Sequence, residues 1–233
     1  MKQLARWGMA GGLYLALAAP AVAGFDAAVS RTVVQIRGMD AAGKLYFGSG
    51  VIVGPDTVAT NCHVVRTGGR IGVFRGAESY PVRAERVDVS RDLCLLQAPG
   101  LAPPSAKPAP LAALKAGQPL SFYGFPRALG LSYSEGRLKR LHPFGGSRVI
   151  ETTAFFTLGG SGGGLFDARG RLAGLATFLA PGHGGAYFAI PADWIRALTS
   201  RPWSAVAPLQ GRSFWEETSH GPAFLQRPGA PGR

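Results

Sequence analysis

Residues 99–110 read PGLAPPSAKPAP and hold five prolines. Proline fixes φ and carries no N–H, so this run can form neither a central strand nor a helix interior. It predicts a linker with ordered structure on both sides. Upstream, short β-branched and aromatic runs alternate with Gly, Pro, Asn and Asp. They predict strands over 33–36, 45–53, 57–60, 71–74, 80–87 and 93–97. Downstream the same pattern predicts strands over 120–123, 132–138, 148–153, 164–167, 171–178 and 186–190, with a hairpin turn at Asp167-Ala168-Arg169-Gly170. Turn signals spaced about 8–12 residues apart belong to an antiparallel barrel or sandwich. One helix is expected, from Pro191 to about Leu198, with proline in its first turn.

The ends of the chain read differently. Lys2 and Arg6 precede the short apolar run Met9–Ala19, and Ala21-Val22-Ala23 is a small-residue cleavage site. Residues 1–23 therefore read as a secretory signal peptide, cut after Ala23. The apolar run is well short of the ~20 residues needed to span a bilayer, so no transmembrane helix is expected in the mature chain. Residues 200–233 are rich in Pro, Gly and Arg without periodicity and read as a mostly unstructured tail. The resulting division is a signal peptide (1–23), an N-terminal β unit (24–104), a C-terminal β unit with the helix (105–199) and the tail (200–233).

Charge and cysteines narrow the function classes. Loss of Lys2 and Arg6 takes the formal net charge from +12 to +10. Apart from the small group Arg137, Lys139 and Arg140 the cations are scattered, so the charge reads as a solvated face rather than a nucleic-acid surface. Export permits a disulfide between the two cysteines, Cys62 and Cys94; two buried free thiols are the alternative. Two cysteines without clustered histidines fall short of a zinc set, and no metal or other cofactor is expected.

The stretch Gly159-Gly160-Ser161-Gly162-Gly163-Gly164-Leu165 carries the candidate chemistry. Glycines on both sides of one serine allow a loop that exposes a hydroxyl and aims backbone N–H groups beside it. Acyl transfer needs that pairing of nucleophile and oxyanion donors. A flexible turn is the plain alternative. A phosphate cradle is disfavoured, since no Lys follows in the required spacing. Gly159, Ser161 and Gly163 also fit the nucleophile elbow, but the alternating strands and helices of that fold are missing. Upstream, His63 follows an apolar strand at a turn, and Asp92 opens the apolar strand Leu93–Gln97. The order His, Asp, Ser is the one chymotrypsin-type enzymes use.

These residues sit in Gly48-Ser49-Gly50, Thr60-Asn61-Cys62-His63-Val64, Asp88-Val89-Ser90-Arg91-Asp92-Leu93 and the Ser161 loop; Phe188-Ala189-Ile190-Pro191 completes the set. Together, over about residues 33–198, the chain resembles the trypsin-like serine peptidases, most of all the bacterial HtrA-like branch without a PDZ domain. The resemblance implies an all-β fold of two six-stranded antiparallel barrels with the site in the cleft between them. It implies His63 as general base, Asp92 as its orienter and Ser161 as nucleophile, with the N–H groups of Gly159 and Ser161 as oxyanion hole. A Cys62–Cys94 bridge would tie the two catalytic strands together.

The resemblance also places the primary pocket around Phe155, with Thr177, Phe178 and Leu179 as its wall. No acid lies from Thr152 through Leu158, which implies cleavage after small or medium apolar residues. The expected protein is an exported, periplasmic or secreted serine endopeptidase acting on polypeptides. The competing reading is a silent trypsin-like module that binds peptides or a protein partner. His142, His183 and His220 read as solvated loop residues.

Overall fold

The computed structural model describes residues 24–180, 186–217 and 221–226. The signal-peptide reading and the positions of His183 and His220 lie outside them. After a short helix α1 (Ala27–Ser30) come strands β1 (Val33–Met39), β2 (Leu45–Gly54) and β3 (Thr57–Thr60), then the one-turn helix α2 (Cys62–Val65). The first unit continues with β4 (Arg70–Arg75), β5 (Glu78–Pro81), β6 (Ala84–Asp88) and β7 (Leu93–Gln97). The second unit holds β8 (Pro119–Gly124), β9 (Ser132–Phe144), β10 (Ser147–Thr152), β11 (Gly164–Asp167), β12 (Leu172–Ala180) and β13 (Ala186–Pro191), followed by α3 (Trp194–Thr199).

The second unit is a closed barrel in the order β10-β13-β12-β11-β8-β9. The first is a sheet in the order β5-β4-β1-β2-β3-β7-β6. Its outermost strands, β5 and β6, are consecutive in the chain and separated only by Val82 and Arg83. The sheet must therefore curl until its edges nearly meet. At that seam the Val82 N–H bonds to Ile71 on one edge and the Arg83 N–H to Gln97 on the other. The single strand expected over 80–87 is thus broken in two. Pro81 ends β5, where a ladder donor is missing, and the chain crosses from one partner strand to the other. The all-β, two-unit architecture is as expected; the first unit is an incompletely closed sheet rather than a six-stranded barrel.

The strands form where the sequence alternates or runs apolar, and their buried faces meet in the core. One cluster fills the first sheet, with Val34, Ile36, Ile52, Val58 and Leu96. Another joins both units, bringing Val33, Val51 and Leu93 against Tyr123, Phe166 and Phe188. Each such side chain contributes about 1.5–3 kcal/mol by leaving water. The shared cluster fixes one unit against the other, and with them the cleft between. The linker is also anchored: Ala106 N–H bonds to Ile52, Ala109 N–H to Leu172, and Leu101 is buried.

Two expectations are corrected at the C-terminal side. The helix does not start at Pro191, which pairs with Gly174 as the last residue of β13. The end of a strand tolerates its missing N–H. The tail, expected to be unstructured, is docked through Glu217. Ser204 and Glu85 exchange backbone hydrogen bonds of 2.8 and 2.9 Å, which extends the sheet past β6. Trp203 lies under the Arg86 guanidinium, 4.0 Å from ring centroid to carbon. Leu209 N–H bonds to Arg66, and Phe214 is buried.

Candidate active site

His63 enters the cleft from α2, directly after β3. Asn61 precedes that turn in extended conformation (φ −81°, ψ 143°), so the chain reverses at the edge of the sheet. Opposite, the Asp88 side chain accepts the Arg91 N–H and caps a 3-10 turn over Val89–Arg91. Asp92 ends that turn in the left-handed region (φ 56°, ψ 36°). Aspartate is among the few residues enriched there. That backbone turns the Asp92 carboxylate toward His63.

The Asp92 carboxylate is fully buried. Its Oδ1 accepts the His63 backbone N–H at 2.9 Å, and its Oδ2 lies 2.6 Å from His63 Nδ1. A carboxylate only accepts, so Nδ1 carries a proton, and in the neutral imidazole the lone pair then sits on Nε2. The imidazole is about one-fifth exposed. Directly beneath, Cys62 and Cys94 are bridged, with their Cα atoms 4.9 Å apart on neighbouring elements.

The serine loop leaves β10 and returns as β11. Gly159 (φ +86°) and Gly162 (φ +82°) take backbone angles that side chains disfavour. A Cβ on Gly159 would lie 2.5 Å from Arg127 N, and one on Gly162 2.1 Å from Ser49 O. Leu158 C=O accepts the Arg127 N–H at 3.0 Å. In a trans peptide the N–H points opposite to the C=O, so the Gly159 N–H faces away from Arg127. Neither it nor the Ser161 N–H donates to any acceptor among the described residues. Ser49 Oγ donates to Gly159 O at 2.8 Å and accepts the Phe125 N–H, which fixes the loop from behind.

Asn61 ties the histidine turn to the serine loop. Its Oδ1 accepts the Gly162 N–H at 2.7 Å, and its Nδ2 donates to Asp92 O and Thr177 Oγ1. Ser161 Oγ itself donates to Thr177 O at 3.1 Å. No hydrogen bond joins it to His63 among the described residues.

The four pocket candidates separate. Thr177 is buried with its hydroxyl engaged by Asn61 and Leu175, and Phe178 is buried in a stack between Phe188 and Trp215. Leu179 and Phe155 are 41% and 54% exposed, and the Phe155 ring packs edge-on against Tyr187. Phe155 therefore faces outward rather than forming a buried pocket floor, because Ala154 and Phe156 on either side take the inward positions.

His142 is corrected outright. It is buried on β9, its Nε2 2.8 Å from Glu151 Oε2, and its ring stacks on Phe224 at 4.4 Å. Burial pushes the Glu151 carboxyl up, but hydrogen bonds from Lys139 and His142 outweigh it and hold the group below its ordinary value. Sequence reasoning passed over Asn61, although it stands inside the quoted Thr60–Val64 stretch. It also passed over Trp215. This residue donates its Nε1–H to Asp92 Oδ2 at 2.9 Å and meets the His63 ring edge-on at 5.3 Å. No group of three or more metal-ligating side chains occurs among the described residues.

A closed barrel packed on a curled sheet, with a His–Asp pair facing a serine loop, defines a trypsin-like β architecture. A family model described as trypsin-like peptidase domain matches residues 48–175, and the chain belongs to that family. It is similar to serine protease Rv3671c of Mycobacterium tuberculosis H37Rv, 28% identical over 165 residues covering 64% of this chain and 40% of that protein. It is also similar to periplasmic serine endoprotease DegP of Escherichia coli K12, 33% identical over 166 residues covering 66% and 35%. The chain thus matches well under half the length of these relatives. The crystal structure of the Rv3671c protease in its active form matches with a TM-score of 0.71 and 26% identity, over 80% of this chain and 87% of that one.

Proposed function

We propose that this chain is an exported serine endopeptidase in which Ser161 attacks the scissile carbonyl, His63 Nε2 takes the hydroxyl proton, and Asp92 holds the imidazole. The observation that carries the reading is the 2.6 Å contact between His63 Nδ1 and a fully buried Asp92 carboxylate. A buried anion in this position favours the imidazolium that forms as Ser161 Oγ bonds to carbon. The negative charge moves to the substrate oxygen, where the unpartnered N–H groups of Gly159 and Ser161 would receive it. His63 then returns the proton to the leaving amine. Water repeats the sequence on the acyl-enzyme and releases Ser161.

Before attack, the Ser161 hydroxyl must leave Thr177 O and turn to His63. The substrates are polypeptides, held in the cleft between the units. The primary side chain would be small or medium and apolar, since no acid lies from Thr152 through Leu158 to pair a buried cation. Residues 1–23 direct export to the periplasm or beyond, in keeping with the bridged cysteines.

The test is labelling of the mature protein with a fluorophosphonate, which reacts with an activated serine. Native protein should label and Ser161→Ala should not. Native protein that stays unlabelled while cleaving nothing would favour the alternative, a silent peptide-binding module.

A further inference from the structure

We infer that the C-terminal segment completes the active site, with Trp215 as a positioning residue for the Asp92–His63 pair. The inference rests on the serine-peptidase reading above. Trp215 lies forty residues beyond the end of the span matched by the family model. It lies 123 positions from Asp92 in the chain. Nothing local could bring the two together.

The contact is built rather than incidental. Asp92 Oδ2 receives two donors, His63 Nδ1 at 2.6 Å and Trp215 Nε1 at 2.9 Å. With the His63 backbone N–H on Oδ1, the buried carboxylate has three N–H partners. A buried anion needs such donors, and hydrogen bonds to a charged acceptor are the strong ones. The indole also stacks flat on Phe178, 5.2 Å between centroids at 9°. Its contact with His63 is edge-on, 80° between planes, which resists rotation of the imidazole. Trp215 therefore touches both members of the pair and Phe178 at once.

The residues on either side fasten it. Phe214, buried, donates its N–H to Ser90 O at 3.1 Å, two residues before Asp92. Glu216 Oε2 accepts the Ser213 N–H at 2.7 Å and lies 2.6 Å from the Arg66 guanidinium, three residues after His63. The strap is thus pinned next to both residues it serves. It shields Asp92 from water, which would otherwise compete for Oδ2 and loosen the His63 contact. No bond is made or broken at Trp215, so its effect falls on geometry at the reacting centre.

The test compares Trp215→Phe with native protein on one peptide substrate, with Ser161→Ala alongside. Phenylalanine keeps an aromatic ring against His63 and Phe178 and removes the N–H. The expected result is a fall in kcat of about 10- to 100-fold, the scale of a small misplacement at the reacting centre. KM should stay within about twofold and the melting transition near native, a split that loss of binding or of fold does not produce. Native kcat in the folded variant, or a loss wholly in KM, overturns the inference while Ser161→Ala remains silent. Turnover by Ser161→Ala overturns both readings. If Trp215→Phe does not fold, solvent exchange of the Trp215 indole N–H in 15N-labelled native protein decides. Slow exchange supports the bond to Asp92, and exchange as fast as a free indole refutes it.

Discussion

Asn61 Oδ1 accepts the Gly162 N–H at 2.7 Å, across 101 residues of sequence. The same side chain donates to Asp92 O and to Thr177 Oγ1. One buried amide therefore joins the histidine turn, the start of β7, the serine loop and β12. Asn61→Ala removes three buried hydrogen bonds, each worth about 0.5–1.5 kcal/mol net, while the Gly162 N–H keeps Ala176 O, Asp92 O keeps the Cys62 N–H, and Thr177 Oγ1 keeps Leu175 O. The expected outcome is a lower melting temperature together with reduced kcat. Unchanged stability and turnover would show that the cleft is held in register by packing alone.

The Ser161, His63 and Asp92 replacements should behave as a unit. Each single change to alanine is expected to lower kcat by several orders of magnitude, and pairs of changes by little more. Kinetics on the three single and three double variants checks this. Additive losses would argue against a shared proton-transfer step.

The Cys62–Cys94 bridge closes a separation of 32 residues. A loop of that size contributes roughly 3–4 kcal/mol, largely through the unfolded chain. Reduction should lower the melting temperature by roughly 10 °C in a domain of this size. Thermal unfolding with and without reductant measures it. Alkylation of non-reduced, exported protein should find no free thiol by mass spectrometry.

Glu85 supplies a pH signature. It is buried against the tail, where Ala207 N–H donates to Oε1 while Oε2 has no hydrogen-bond partner among the described residues. Burial raises its carboxyl above the ordinary value, with partial relief from the Ala207 N–H. The folded state then binds this proton more tightly than the unfolded one. The group costs stability once pH exceeds the folded value, and that cost fades as pH falls toward the unfolded value. Glu85→Gln should therefore raise the melting temperature at pH 8 and do so much less at pH 4. An equal difference at both pH values would remove ionisation as the cause.

Substrate preference can be read with peptides varied at the residue before the cleaved bond. Small or medium apolar side chains should be preferred over Lys and Arg, and neighbouring sizes should differ by only about 1–3 kcal/mol in transition-state binding. A clear preference for Arg or Lys would mean that an acid outside Phe155, Thr177, Phe178 and Leu179 lines the pocket.

The sequence by itself determined most of the strands and the chemical cast. β3, β7 and β11 fall on their expected residues because their apolar runs end at turn residues within a few positions. His63, Asp92 and the Ser161 loop were visible because turn and strand-start contexts are local. Only the tertiary structure decided what surrounds them. Phe155 faces outward because its neighbours face inward, and His142 is buried because Glu151 and Phe224 are brought to it. The tail shows the difference most sharply. Residues 200–217 have no period to read, since they follow the edge and surface of a sheet assembled far upstream. Their order comes from contacts over more than a hundred residues, from Ser204 to Glu85 and from Trp215 to Asp92. Periodicity records which way a side chain faces within its own element. It carries no record of which distant surface a segment without periodicity will cover.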